Sequence, residues 1–248
     1  MGVAETEAIV LRTYKLAEAD KIIVFLTQHS GVMRGVARGA RRLKSKFGAS
    51  LEPFTLIGLS YFEKEGQELV SIRQAEILRS YFELSRNTDA VNALEYLAGL
   101  ILEFTPPHEP NEKIFRMFKA CLEATLSAPE DLRQITRYGE VWLLKLAGFL
   151  PGLHACVNCK KVFDENNAKT FLGIDGALRC VSCSHKADMP LSREATARLR
   201  ATERQSPAVW ARGGEATTET ARKELSQLTQ RLITRALERL PRGRATVE

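Results

Sequence analysis

The chain has 248 residues, 44% of them apolar, with 36 lysines and arginines against 30 acidic residues, a formal charge of +6 and a pI near 9.1. That length exceeds one ordinary domain, and that apolar content fills real cores, which excludes a disordered or fibrous class. No apolar run approaches the 18 residues of a membrane span, and Glu5 and Glu7 stand where a signal peptide needs positive charge, so a cytoplasmic protein without membrane association is expected.

Period-two alternation broken by turn residues predicts strands over Ala8 to Tyr14, Lys21 to Thr27, Val32 to Ala37, Ser50 to Phe62 and Glu68 to Ile77. Gln28-His29-Ser30-Gly31 and Lys64-Glu65-Gly66-Gln67 read as hairpin connections. Five short strands in one stretch suit a small closed barrel of the OB type over residues 1–80, an SH3-like barrel being the alternative.

Within that region, residues 21–51 contain no acidic residue and seven cations: Lys21, Arg34, Arg38, Arg41, Arg42, Lys44 and Lys46. An incidental solvated surface mixes both signs, so this one-sided segment points to phosphate contact. Its glycines let backbone approach a phosphate chain, and its single aromatic from Arg34 to Gly48, Phe47, reads as a surface on which a base stacks. The stretch from Arg38 to Gly48 falls between the third and fourth strands, at the rim where OB barrels bind.

Helical periodicity follows over residues 81–248. Asp89 to Phe104 carries an apolar stripe and is stopped by Pro106-Pro107-His108-Glu109-Pro110; Ile114 to Leu126 repeats the theme, with Cys121 as a core residue. Pro129 opens a segment to Ala147, Ser192 caps a helix to about Thr202, a loop contains Pro207, Trp210 and Gly213-Gly214, and a last helix runs from about Thr218 to Leu240. On that last helix Ala221, Leu225, Leu228, Leu232, Ala236 and Leu240 form a packing stripe. Arg231, Arg235 and Arg239 share another side, either solvated or facing an acidic partner or DNA.

Cys156-Val157-Asn158-Cys159 and Cys180-Val181-Ser182-Cys183 are two C-x-x-C knuckles separated by 20 residues. Each knuckle points two thiolates at one ion, so the four complete a closed tetrahedral shell, which predicts a structural Zn2+ module over about residues 154–185. The alternatives are a shell in which His154 or His185 replaces one thiolate, and redox or disulfide chemistry of the cysteines. A closed shell leaves no position for catalysis. Enzyme motifs are missing elsewhere: the nearest approach to a phosphate loop ends in Lys44-Ser45 but has Arg38 and Leu43 where glycines are needed, and no histidine is followed two residues later by glutamate. Close acid pairs such as Glu18 with Asp20 and Glu63 with Glu65 read as surface decoration.

The motif string Val10-Leu11-Arg12-Thr13, Glu18-Ala19-Asp20-Lys21-Ile22-Ile23, Phe25-Leu26-Thr27, His29-Ser30-Gly31, Gly35-Val36-Ala37-Arg38-Gly39-Ala40-Arg41-Arg42, Ser45-Lys46-Phe47 and Leu51-Glu52-Pro53-Phe54 resembles the bacterial recombination-repair RecO family. The likeness extends over almost the whole chain and adds Arg12 to the candidate DNA contacts. It implies an α+β protein, an N-terminal OB barrel followed by a helical domain with a four-cysteine zinc module. It also implies a mediator rather than an enzyme, which binds single- and double-stranded DNA and anneals complementary strands covered by single-strand binding protein. With RecR, such a mediator helps place RecA on single-stranded gaps, in the bacterial cytoplasm and beside the nucleoid. The other classes compatible with the residues are an RNA-binding or translation-associated OB protein with a zinc module, and a DNA-processing enzyme; preference for single-stranded DNA and a cleavage assay with divalent metal separate them.

Overall fold

A computed structural model describes residues 2–63, 66, 68–163, 169–214, 216–239, 241 and 243. It divides into two compact units, Met1–Leu126 and Ser127–Glu248.

In the first unit, β1 (Val3–Leu16), β2 (Asp20–Thr27), β3 (Gly31–Ala37), β4 (Leu56–Phe62) and β5 (Leu69–Arg79) form a closed barrel in the order β1-β2-β3-β5-β4. Four ladders are antiparallel and β3 pairs with β5 in parallel, through Arg34–Leu69, Gly35–Val70 and Val36–Ser71, which is the OB arrangement. Inward side chains alternate along each strand, among them Ala8, Val10, Ile23, Phe25, Met33, Ile57, Leu59 and Ile72, and they fill the barrel. The strand β1 begins earlier than the alternation predicts because Val3 to Ile9 pair with β4.

Two expectations are corrected here. Strand β4 starts at Leu56 rather than Ser50: residues 50–55 form successive turns, with Ser50 N–H donating to the Phe47 carbonyl, Glu52 N–H to Ala49 and Thr55 N–H to Glu52, and with Phe54 at φ 63°. Phe47 is not available to stack on a base; it is 4% exposed and belongs to the barrel core beside Leu51. A loop carrying several like charges has no apolar surface of its own, so one buried side chain anchors it to the fold. Phe47→Ala is therefore expected to destabilise the protein by about 3–5 kcal/mol, read as an earlier urea midpoint. The expected hairpin at Lys64-Glu65-Gly66-Gln67 and the acid pair Glu63 with Glu65 involve positions outside the described residues.

The outward faces of β1 and β2 are also apolar: Ile9, Leu11, Val24 and Leu26 are all buried. The helices α1 (Thr88–Phe104) and α2 (Glu112–Ser127) belong to this unit, with the Phe54 and Phe118 rings edge to face at 6.4 Å. Between the helices, His108 N–H donates to the Val32 carbonyl at 3.0 Å. Gly31 has φ +67°, and a Cβ there would lie 2.1 Å from the Glu109 carbonyl oxygen, so glycine is required at this contact. Compactness thus groups both helices with the barrel, beyond the boundary at residue 80 read from the pattern change.

The second unit contains α3 (Leu132–Leu146), the three-stranded antiparallel sheet β6 (Thr170–Leu172), β7 (Leu178–Cys180) and β8 (Met189–Leu191) in the order β7-β6-β8, and the helices α4 (Arg193–Ala201), α5 (Pro207–Arg212) and α6 (Glu219–Leu237). Ser192, Ser206 and Thr218 cap α4, α5 and α6 by accepting from the N–H three residues on. The stretch read as a loop around Trp210 is therefore a helix. Trp210 is fully buried, 6.0 Å from the Tyr138 ring and under the Arg198 guanidinium. On α6, Ala221, Leu225, Leu228 and Leu232 are buried as predicted, Ala236 is half-buried, and Leu240 lies outside the described residues. A buried Glu140 clasps α3 to α6: it accepts from Arg137 and from Thr229 Oγ1, and Arg137 donates onward to Ser226. Cys121 is buried in α2, where desolvation pushes its thiol up to about 12.

Candidate nucleic-acid interface and metal centre

The four knuckle cysteines converge. Their Sγ atoms all lie within 4.8 Å of one another, and Cys159 and Cys180 are 3.7 Å apart. A tetrahedron of 2.3 Å zinc–sulfur bonds has edges of about 3.8 Å, so this donor set fits zinc in size and chemistry. Backbone bonds hold the pieces in place: Cys156 N–H donates to the Lys161 carbonyl, Lys160 N–H to Cys156, and Val157 N–H to Leu178 of β7. Burial acts to raise the Cys156 thiol, but N–H groups of Cys159, Cys180 and Asn158 outweigh it and lower the group to about 6. Hydrogen bonds with Cys159 and Cys180 hold Cys183 up at about 12. Binding an ion would require these thiols to give up their protons to solvent. Neither histidine belongs to the cluster; His154 Nε2 faces Glu203 at 3.1 Å.

The cationic loop after β3 is folded, not floppy. The Asp20 carboxylate accepts from Gly39 N–H at 2.8 Å, where φ is +70°, and Arg41 N–H donates to the Ala19 carbonyl at 2.9 Å. Arg42 N–H donates to Gly39 and Ser45 N–H to Arg42, which places Leu43 and Lys44 at the tip of a tight turn. Phe47 then enters the core. The candidate cations are not equivalent within this frame. Lys21 pairs with Glu52 at 3.3 Å, the Arg41 guanidinium donates to the Ala17 carbonyl and Lys46 Nζ to the Arg73 carbonyl. Arg34, Arg38, Arg42 and Lys44 are exposed and donate from their side chains to no protein group among the described residues.

Strand register adds a row that the sequence did not disclose. Arg12, Val24 and Arg34 are opposite one another across β1, β2 and β3, and so are Tyr14, Ile22 and Val36 one step along. Both rows face outward, because their neighbours Ile23, Phe25 and Met33 fill the barrel. Arg12 reaches over α1, its Nη2 lying 3.2 Å from where a Cβ on Gly99 would stand. Tyr14 is 49% exposed. Period-two counting along β1 from Ala8 and Val10 puts Tyr14 inside the barrel; the register shift between Val10 and Arg12 turns it outward, and no sequence signal marks that shift. Arg231, Arg235 and Arg239 are all exposed, but α6 ends at Leu237 with Glu238 at φ 54°, so Arg239 lies past the helix and the expected row of three on one helix side is broken; Arg235 donates to the Ile174 carbonyl at 2.8 Å and so fastens the β6–β7 turn.

The N-terminal model of recombination protein O matches residues 1–81 and its C-terminal model matches residues 86–245. The chain belongs to the recombination protein O (RecO) family. Proteins named DNA repair protein RecO are similar to it: that of Koribacter versatilis is 35% identical over 161 residues, 65% of each chain. That of Anaeromyxobacter dehalogenans strain 2CP-1 is 30% identical over 184 residues, 74% of this chain and 72% of the relative. That of Geobacter metallireducens is 33% identical over 183 residues, covering 74% and 73%. The match thus spans just under two thirds of the first relative's length. Among the described residues no helix is long and apolar enough to cross a membrane.

Proposed function

We propose that this RecO-family chain is a recombination mediator in DNA repair, which binds single- and double-stranded DNA and anneals complementary strands in the bacterial cytoplasm. The observation that carries the reading is the braced cationic turn on an OB barrel within this family. Arg34, Arg38, Arg42 and Lys44 neutralise phosphates of both strands, lowering the repulsion that opposes pairing, while the strands read their own sequence. Nothing in that chemistry consumes a nucleotide, so no catalytic role is assigned to the chain. The four-cysteine cluster holds a structural zinc that fixes the second unit.

The partners are RecR, with which the chain helps place RecA on gaps, and single-strand binding protein. The second unit offers a groove of about 520 Å³ to an acidic, apolar tail such as that protein's, lined by Leu150, Val157, Leu178 and Leu232 with the cations Lys160 and Arg235; its one carboxylate, Asp175, is paired with Arg179. Annealing of complementary strands coated with the cognate single-strand binding protein tests the reading, and a chain that leaves them unpaired sinks it. Annealing is expected to proceed without ATP and to survive removal of free magnesium once ionic strength is matched. A strict nucleotide requirement would reveal an active site in the chain.

A further inference from the structure

We infer that Tyr14 is the base-stacking residue of the barrel and that it confers preference for single strands over duplex; this rests on the DNA-binding reading above. Tyr14 is 49% exposed although its neighbours along the chain are ordered in β1 and paired across to β2. It opens a short apolar row across three strands, Tyr14, Ile22 and Val36. The next row on the same face carries Arg12 and Arg34 on either side of Val24. On the side of the Tyr14 row away from Arg12 and Arg34, the β1–β2 turn holds the cationic loop through Ala17, Ala19 and Asp20. An aromatic and apolar strip edged by cations on both sides matches an unpaired strand, whose bases need a flat apolar partner while its phosphates need charge. A duplex has its bases already stacked inside and offers only phosphates to the same surface. The cations therefore serve both forms, and the ring serves one.

The consequence for annealing is specific. A base held against Tyr14 keeps its Watson–Crick edge free, so the bound strand is presented for pairing and loses its hold on the ring once it becomes duplex.

The test uses the full chain and two DNAs, an oligothymidylate and a blunt duplex of equal length. Tyr14→Ala is expected to weaken oligothymidylate binding by about tenfold to a hundredfold, the range of one lost base stack, and to leave duplex affinity and both salt slopes unchanged. Tyr14→Phe should restore single-strand affinity, because the ring and not the hydroxyl is used. Tyr14→Trp provides a direct signal: its fluorescence should be quenched by oligothymidylate and not by duplex, relative to the parent chain. Unchanged single-strand affinity in Tyr14→Ala, with circular dichroism showing an intact fold, overturns the inference, as does equal loss for both DNAs. The underlying DNA site is tested separately by neutralising Arg38, Arg42 and Lys44. If that variant binds both DNAs as before, the site reading itself has failed; if it weakens both while Tyr14→Ala changes neither, only the stacking role falls.

Discussion

Cys156→Ser or Cys180→Ser is expected to abolish metal retention and unfold the knuckle region of the second unit, the largest single-residue effect in the chain. Structural zinc bound by such peptides contributes on the order of 10–16 kcal/mol at neutral pH, more than an ordinary domain's whole stability. The other supports among the described residues are weaker, such as the bonds from Arg200 to the Leu153 and Phe163 carbonyls and from Arg235 to the Ile174 carbonyl. The strands β6, β7 and β8 have three residues each, and sheets so short are not stable without support. Purified wild-type protein should contain about one zinc per chain. The serine variants should contain none and be cleaved by protease between residues 154 and 191, with the barrel amides still protected from hydrogen exchange. Metal affinity should also fall as the solution is acidified. The Cys183 thiol, held up at about 12, must give its proton to solvent when metal binds, so added protons compete with the ion. Wild-type protein that is fully folded without zinc would refute the structural role.

The barrel was legible because turn residues separate five short apolar runs and, in β4, alternation says which face is buried. The start of β4 was not, because Leu51 and Phe54 continue the apolar rhythm of a strand while plugging the barrel and its flank from turn conformations. The runs Val24-Phe25-Leu26 and Ile9-Val10-Leu11 carried a further signal, since strands apolar on both faces must be covered on both. In the structure Ile9, Leu11, Val24 and Leu26 are buried outside the barrel core, in the unit that also contains α1 and α2. The helix α5 was hidden by Pro207 and Gly213-Gly214, although Ser206 followed by a proline is also a helix start, with proline at the first position where no N–H is needed. Three-residue strands are too short for any period to declare itself.

For the candidate site, cysteine spacing sufficed because the knuckle geometry is local. The cations were harder, since like charges in a row say that phosphate is welcome but not which side chains are already engaged. Lys21, Arg41 and Lys46 are used to hold the loop, through Glu52, Ala17 and Arg73 respectively, and those partners are 24 to 31 residues away in sequence. Phe47 was misread for the same reason. Its role is set by a barrel interior that only the closed sheet creates.

The sorting of the cations sharpens the electrostatic prediction. Neutralising the three unengaged side chains of the loop, in Arg38→Ala, Arg42→Ala and Lys44→Ala together, should reduce the slope of log affinity against log salt by about 0.7 per contact for single strands and about 0.9 for duplex. Three lost contacts then amount to a slope change of about 2 to 3 and, at 0.1 M salt, a loss of affinity on the order of a hundredfold or more. The loss should be nearly independent of sequence, because phosphates and not base edges are being read. Annealing should fall in parallel. Stability should stay within about 0.5 kcal/mol of the parent, since exposed loop charges with no protein partner contribute little to folding. Arg41 is left in place because its bond to the Ala17 carbonyl braces the loop, and removing it would mix a structural effect with an electrostatic one. The rival expectation assigns the contacts to Arg231 and Arg235 on α6 and to Arg239 just past its end. In that case the loop variant keeps its slope while charge removal at Arg231 and Arg239 lowers it; Arg235 is a poor probe because it fastens the turn at Ile174. Salt titrations of both variants on one oligonucleotide decide between the barrel and the last helix.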